Sequence, residues 1–167
     1  PSKSTQATPR KHARYVEFIE KMNAIASAST GTKVLAGLSG GGGLATGAAI
    51  AGQSGSSNVW DRLLLYAPYY MNPGSTKMLA DTVGFFNPGV KTDWGDACRK
   101  NRARVNGRGG YCSVNVGATQ AMVHLGEEVA KEVDKIGIPV QIIGVEKDPT
   151  ADNSAIGRAF RLMKNAK

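Results

Sequence analysis

The stretch Val34–Gly47, VLAGLSGGGGLATG, constrains this chain more than any other. An apolar run from Lys33 to Leu38 has the length of a short buried strand. Four consecutive glycines follow, Gly40 to Gly43, and then a small apolar stretch from Gly43 to Gln53. That stretch reads as a tightly packed helix, despite the propensity its glycines cost. A strand joined to a helix across so short a turn crowds the backbone, so residues beside the turn must be small. Ser39 sits at the apex. It is a nucleophile on a sharp turn, a member of a phosphate-binding glycine loop, or part of a structural turn.

The rest of the chain alternates. Thr8 can cap a helix with Pro9 at its first position. Tyr15, Phe18, Ile19, Met22 and Ile25 then mark one helical face, and the segment Ser27–Gly31 ends it. GQSGSSN at 52–58 is a turn, and RLLLYAP at 62–68 is a second buried strand stopped by Pro68. Residues 69–116 are rich in Gly, Pro, Asn and charge, and read as an insertion or lid with one or two short helices. A helix resumes at Ala118, with Met122, Leu125, Val129, Val133 and Ile136 on one face, and Gly137 ends it. PVQIIGV at 139–145 is a third strand, and Asn153 or Ser154 caps a last helix running to about Asn165. Helices alternating with strands imply a parallel sheet with right-handed crossovers, hence an α/β fold with flanking helices.

At 167 residues the chain fits a single α/β domain with a sizeable core. No apolar run is long enough to span a membrane. PSKSTQATPRKHAR, at 1–14, lacks the apolar centre of a signal peptide, and the start at Pro1 implies that an earlier segment was removed or omitted. The net charge of +8 gathers near the start, at Arg99–Arg108 and at the end. Aromatic residues, 7% of the total, do not interleave with these basic runs. A single-strand binder would need that, so the basic surface reads as solvated and no specific nucleic-acid partner is expected. Cys98 and Cys112 have 13 residues between them. They read either as a disulfide in a secreted or periplasmic protein or as two unpaired thiols. A bond closing such a loop contributes about 3 kcal/mol in the chain-entropy model. No second Cys or His pair accompanies them, so no metal site is expected.

Gly37-Leu38-Ser39-Gly40-Gly41 matches G-x-S-x-G between a strand and a helix, the context that motif requires. A dinucleotide fingerprint fits Gly40-x-Gly42-x-x-Ala45 by letter. It also needs an acidic residue at the end of the second strand, which here ends YAPYY. A P-loop needs Gly-Lys-Ser/Thr, which is absent. The stretch resembles the nucleophile elbow of the α/β-hydrolase fold family. RLLLYAPYY resembles the strand that follows it, 69–116 falls where that family carries a variable lid, and PVQIIGVEKDPTADN resembles its acid-bearing strand and loop. The resemblance covers residues 9–165. It implies an acyl-serine ester hydrolase, or less readily an amidase, with no cofactor. Ser39 is then the nucleophile, the Gly40 N–H an oxyanion donor and Asp148 the acid that orients a histidine. Asp152 and Glu146 stand in if the loop is shifted, and Asp148 alternatively serves only the Asp-Pro turn. Tyr69 and Tyr70 either line the pocket or simply pack.

The chain departs from that family in two respects. The histidine should follow the acid, yet none lies after Asp148; His12 and His124 both fall in expected helices before it. The strands that precede the first helix in that family, which carry the other oxyanion donor, have no counterpart here. The first strand would then form the raw apolar edge of a three-stranded sheet. The expectation is a partial hydrolase fold completed by a missing segment or another chain. A noncatalytic module on the same scaffold and a nucleotide-binding domain remain as alternatives.

Overall fold

The computed structural model describes residues 7–54, 57–70, 91–93, 95–104, 112–148 and 151–166. Its elements are α1 (Ala7–Ala28), β1 (Val34–Leu38), α2 (Gly40–Ala51), β2 (Gln53–Ser54), β3 (Ser57–Asn58) and β4 (Arg62–Tyr66). Then come β5 (Lys91–Asp93), α3 (Gly95–Arg104), β6 (Ser113–Asn115), α4 (Val116–Ala130), a 3-10 turn (Val133–Lys135), β7 (Val140–Ile143) and α5 (Asn153–Leu162). The expected α/β class holds. β1, β4 and β7 form a parallel sheet in that order, and β2–β3 and β5–β6 are two small antiparallel pairs.

Several boundaries shift for local reasons. α2 begins at Gly40 and not Gly43, so three glycines of the turn are helical. Contact with β1, β4 and α4 outweighs their poor propensity. α4 begins at Val116, because the Asn115 side chain accepts the Ala118 N–H at 3.0 Å and caps it. It stops at Ala130. Val133 reaches the core from the 3-10 turn, and Ile136 does so from the residue that ends that turn. The last helix is capped by Asp152, whose carboxylate accepts from the N–H groups of Ser154 and Ala155, and not by Asn153 or Ser154.

The core lies on one face of the sheet. Leu35, Leu63, Leu65 and Val140 point into it. α2 rests on β1 and β4, while α1 and α4 pack on α2 and on each other. The strands are therefore half-buried, where the apolar runs had implied full burial. Leu38, Tyr66 and Ile143 are paired side by side and are 69%, 41% and 40% exposed on the other face. Among the described residues no element covers that face. β1 forms one edge, as expected. At the other edge Ala166 makes an isolated parallel bridge to Val140. On α1 only part of the expected stripe is internal: Ile19 is buried and Tyr15 and Met22 pack on the core, but Phe18 and Ile25 face outward.

One polar contact is sealed inside. The Thr46 hydroxyl donates to the Gly42 carbonyl at 2.8 Å, so the Tyr70 O–H is the donor in their 2.9 Å bond. Thr46→Val strands that phenol in the core and should lower stability by about 1–3 kcal/mol. Tyr70→Phe added to it should recover part of the loss, read from urea midpoints. Burial pushes Tyr70 and Tyr69 up to about 12. Unfolded tyrosine loses its proton near pH ~10. The unfolded chain then releases protons that the fold retains, so stability falls between about pH 10 and 12. Tyr70→Phe should flatten that decline, and an unchanged slope would contradict the assignment.

Candidate active site

The C-terminal ends of β1, β4 and β7 meet at one end of the sheet, and the residues singled out by sequence lie on the turns that leave them. Ser39 leaves β1 with φ 51° and ψ −121°, a left-handed backbone that non-glycine residues seldom adopt. Three hydrogen bonds hold it there. Its N–H donates to the Tyr66 carbonyl at 2.9 Å, and its own carbonyl accepts from Gly42 at 2.8 Å and Tyr69 at 2.9 Å. The turn after β4 is built similarly, with Ala67 at φ 40° donating to the Ile143 carbonyl at 2.7 Å.

A serine preceding a helix ordinarily spends its hydroxyl on the cap. Ser39 makes no side-chain cap bond, and the residue is exposed. The first two N–H groups of α2, on Gly40 and Gly41, precede the first bond of the helix, which Gly42 makes to the Ser39 carbonyl, and they lie at the positive end of the helix dipole. The turn thus offers a hydroxyl beside a group of convergent donors.

The glycines divide by function. A Cβ on Gly37 would strike the backbone of Gly41 and Gly42, and one on Gly42 would lie 2.8 Å from Pro68. On Gly40 it would meet the flexible Met122 side chain, and on Gly41 it would meet nothing. The closing glycine of the motif is therefore the dispensable one, and the steric demand falls on its opening glycine, Gly37, and on Gly42 outside the motif. Across the helix layer, a Cβ on Gly126 of α4 would stand 2.6 Å from the Tyr69 carbonyl. The packing roles of Gly42, Gly126 and Pro68 carried no signal in the sequence, where Gly42 figured only in the glycine fingerprint. Thr46 alone left a trace, as the one hydroxyl in an otherwise apolar helix.

Asp148 lies on the loop leaving β7, partly buried, with Oδ1 accepting the Ala151 N–H at 3.0 Å. Asn153 Nδ2 pins the loop by donating to the carbonyls of Val145 and Glu146 at 2.9 and 3.0 Å. Asp152 is committed to capping α5; its hydrogen bond with Ser154 holds its carboxyl below the usual range. Glu146 is exposed. β1 and β7 flank β4, so the strand ends that carry Ser39 and Asp148 stand about 10 Å apart.

The tyrosines turn inward. Tyr69 and Tyr70 are 4% and 1% exposed and belong to the core. Tyr69 contributes its backbone N–H to the Ser39 turn. Cys98 and Cys112 are joined as a disulfide, with Cα atoms 5.6 Å apart, which settles the two readings of the pair. His124 is half-buried on α4, two residues from Met122. That spacing turns it some 200° away from the side that meets Gly40. His12 lies in α1, and its side chain falls outside the described residues, as does the stretch 71–90 of the expected lid. Among the described residues no cluster of His, Cys, Asp and Glu could hold a metal ion, and no helix is long and apolar enough to cross a membrane.

No protein-family model matches the chain, and no curated protein matches it by sequence. Solved structures do match. The monoacylglycerol lipase of Paleococcus ferrophilus superposes with a TM-score of 0.67 at 16% identity, over 91% of this chain and 63% of that one. A soluble variant of the monoglyceride lipase of Saccharomyces cerevisiae gives 0.64 at 18%, over 90% and 56%. A structure of the metagenome-derived lipolytic enzymes LipS and LipT gives 0.68 at 13%, over 99% and 65%. The chain has the α/β-hydrolase fold in part, and it spans less than two thirds of the length of these neighbours.

Gly42→Ala should destabilise the chain by about 1–3 kcal/mol through overpacking against Pro68. Gly41→Ala should cost well under that. A denaturation series in which Gly41→Ala proved the more damaging would refute the steric division.

Proposed function

We propose that this α/β-hydrolase-fold chain is the nucleophile- and acid-bearing part of a serine hydrolase that cleaves a carboxylic ester through an acyl-serine intermediate. The observation that carries the reading is Ser39 itself. Its backbone is held in a costly conformation, its hydroxyl is not spent on the helix it precedes, and it stands at a helix N-terminus. Strain of that kind persists only where the surroundings enforce it, and it gathers at functional sites.

In the proposed reaction the Ser39 Oγ attacks the ester carbonyl and its proton passes to an imidazole. The Gly40 N–H donates to the oxyanion, where a fixed donor acts without reorganisation. The protonated imidazole then releases the alcohol, and water repeats the sequence to free the acid. Asp148 orients the imidazole and offsets its charge. A carboxylate already anchored by Ala151 suits that task.

The imidazole comes from polypeptide beyond the described residues, since His124 faces away from the turn. The bridge from Ala166 to Val140 supports a place for it. A strand continued from that bridge runs parallel to β7 and ends beside Asp148. The same completing polypeptide, in this chain or a partner, would cover Leu38, Tyr66 and Ile143. The Cys98–Cys112 bond supports an oxidising setting, secreted or periplasmic. The monoacylglycerol lipases among the neighbours favour an ester with a lipid-like acyl chain.

In protein purified from its source, a fluorophosphonate should label Ser39 alone, and Ser39→Ala should abolish both labelling and ester turnover. Asp148→Asn should lower kcat by about 10³–10⁴-fold with the fold intact. Labelling that survives Ser39→Ala would overturn the proposal.

A further inference from the structure

Gly40 is buried, and a side chain from another element lies against it. A Cβ on Gly40 would fall on the Met122 Sδ, with the Met122 Cε 2.9 Å and Cγ 3.2 Å away. The thioether from α4 thus occupies the volume that a side chain at position 40 would fill. Every Cα–Cβ bond of a helix tilts toward the helix N-terminus. The sulfur therefore lies on the Ser39 side of Gly40, beside the N–H assigned to the oxyanion. Met122 is only half-buried, so this contact is not sealed inside the core.

The helix that carries Met122 is fixed relative to the Ser39 turn. One turn beyond Met122, a Cβ on Gly126 would stand 2.6 Å from the Tyr69 carbonyl and 3.0 Å from the Tyr70 Cα, so α4 lies backbone to backbone against the chain leaving β4. Tyr69 in turn donates its N–H to the Ser39 carbonyl at 2.9 Å. One turn before Met122, the Ala118 carbonyl accepts the Tyr15 hydroxyl at 3.2 Å. Ala121, Val123 and Leu125 are buried and anchor this stretch of α4 in the core. The freedom left at the Gly40 contact is in the torsions of Met122 itself. An unbranched, polarizable thioether adapts readily to the apolar groups it meets.

We infer that Met122 sets which acyl groups the Ser39 site admits, passing unbranched aliphatic chains and resisting a branch next to the carbonyl. The inference rests on the acyl-serine reading above and adds a wall to its site. With the carbonyl oxygen on the Gly40 N–H, the carbonyl carbon stands against Ser39, and its substituents lie within reach of what flanks Gly40. The alcohol leaves after the first half of the reaction, while the acyl group stays on Ser39 through the second. The acyl group is thus the part of the substrate that the wall meets in both halves. Two tasks are divided between two elements: position 40 supplies a donor without a side chain, and α4 supplies the apolar surface beside it.

The test compares nitrophenyl butyrate with nitrophenyl isobutyrate, isomers that differ only in the branch beside the carbonyl. Variants are made in the full-length protein as its source produces it. The parent should favour butyrate in kcat/KM, and Met122→Ala should shrink that preference about tenfold, the scale of one methylene in an apolar site. Met122→Val keeps a side chain against the core, so it reads the same ratio even where the alanine variant unfolds, and should shift it in the same direction. Gly40→Ala added to Met122→Ala returns a methyl group to the vacated volume and should move the ratio back toward the parent. A purely structural loss lowers both esters alike and leaves the ratio unchanged. An unchanged ratio in Met122→Ala and Met122→Val, with Ser39 still labelled by a fluorophosphonate, would overturn this inference and leave the hydrolase reading standing. A parent that the fluorophosphonate does not label would overturn both.

Discussion

The carbonyl of Ser39 is the point on which the structure turns. It accepts two N–H groups, one from α2 and one from the turn after β4, while the Ser39 N–H reaches back to the Tyr66 carbonyl. These bonds fasten the exit of β1 to the exit of β4. The left-handed backbone at Ser39 costs of order 1–3 kcal/mol, and bonds in a partly buried setting, each worth about 1 kcal/mol net, can offset it. The arrangement also dictates the packing around it. α2 must start at once, its glycines must lie against Pro68, and α4 must present Gly126 where the chain passes with Tyr69. The Tyr70–Thr46 bond closes the space beneath.

That dependence explains why the helix layer is dense and the other side of the sheet is open. Small residues on α2 let helices and strand ends approach until backbone meets backbone. Among the described residues nothing comparable occurs on the face bearing Leu38, Tyr66 and Ile143. A free-standing sheet leaves such a face to a partner element, because a contiguous apolar patch is a liability in water. The three exposed residues share one rung at the end of the sheet that carries Ser39, so whatever covers them also adjoins the turn.

Much of this was legible in sequence, and the reasons are local. Apolar runs of strand length and glycine punctuation gave the β1–α2–β4 order and the parallel class. The G-x-S-x-G spacing marked Ser39 because only a strand-to-helix turn crowds a serine with glycines. What escaped depends on tertiary contact. Periodicity placed Phe18 with Ile19 on one stripe, since residues 100° apart both fit a broad apolar face, and only packing against α2 and α4 shows which is internal. The cap of the last helix went to Asp152, because three consecutive residues there can cap and the winner depends on how the loop leaves β7. The steric roles of Gly42 and Gly126 left no signal, because a close approach belongs to two segments at once. Tyr69 and Tyr70 followed a strand toward the open end, but the turn at Ala67 folds them back into the core.

The polar side chains near the strand ends can be sorted by what the fold already requires of them. Asn115 caps α4, Asp152 caps α5, Thr46 links α2 to Tyr70, and Asn153 pins the loop after β7. Each would be kept for stability alone. Ser39 differs: its backbone is indispensable to the turn, but its hydroxyl contributes no cap bond, and glycine would adopt the same backbone with less strain. Folding therefore gives no reason for a serine there. Asp148 is intermediate, with Oδ1 held by Ala151 on a loop that is already pinned elsewhere. The residue least explained by stability is the nucleophile of the proposed reaction, and that asymmetry links the fold to the chemistry.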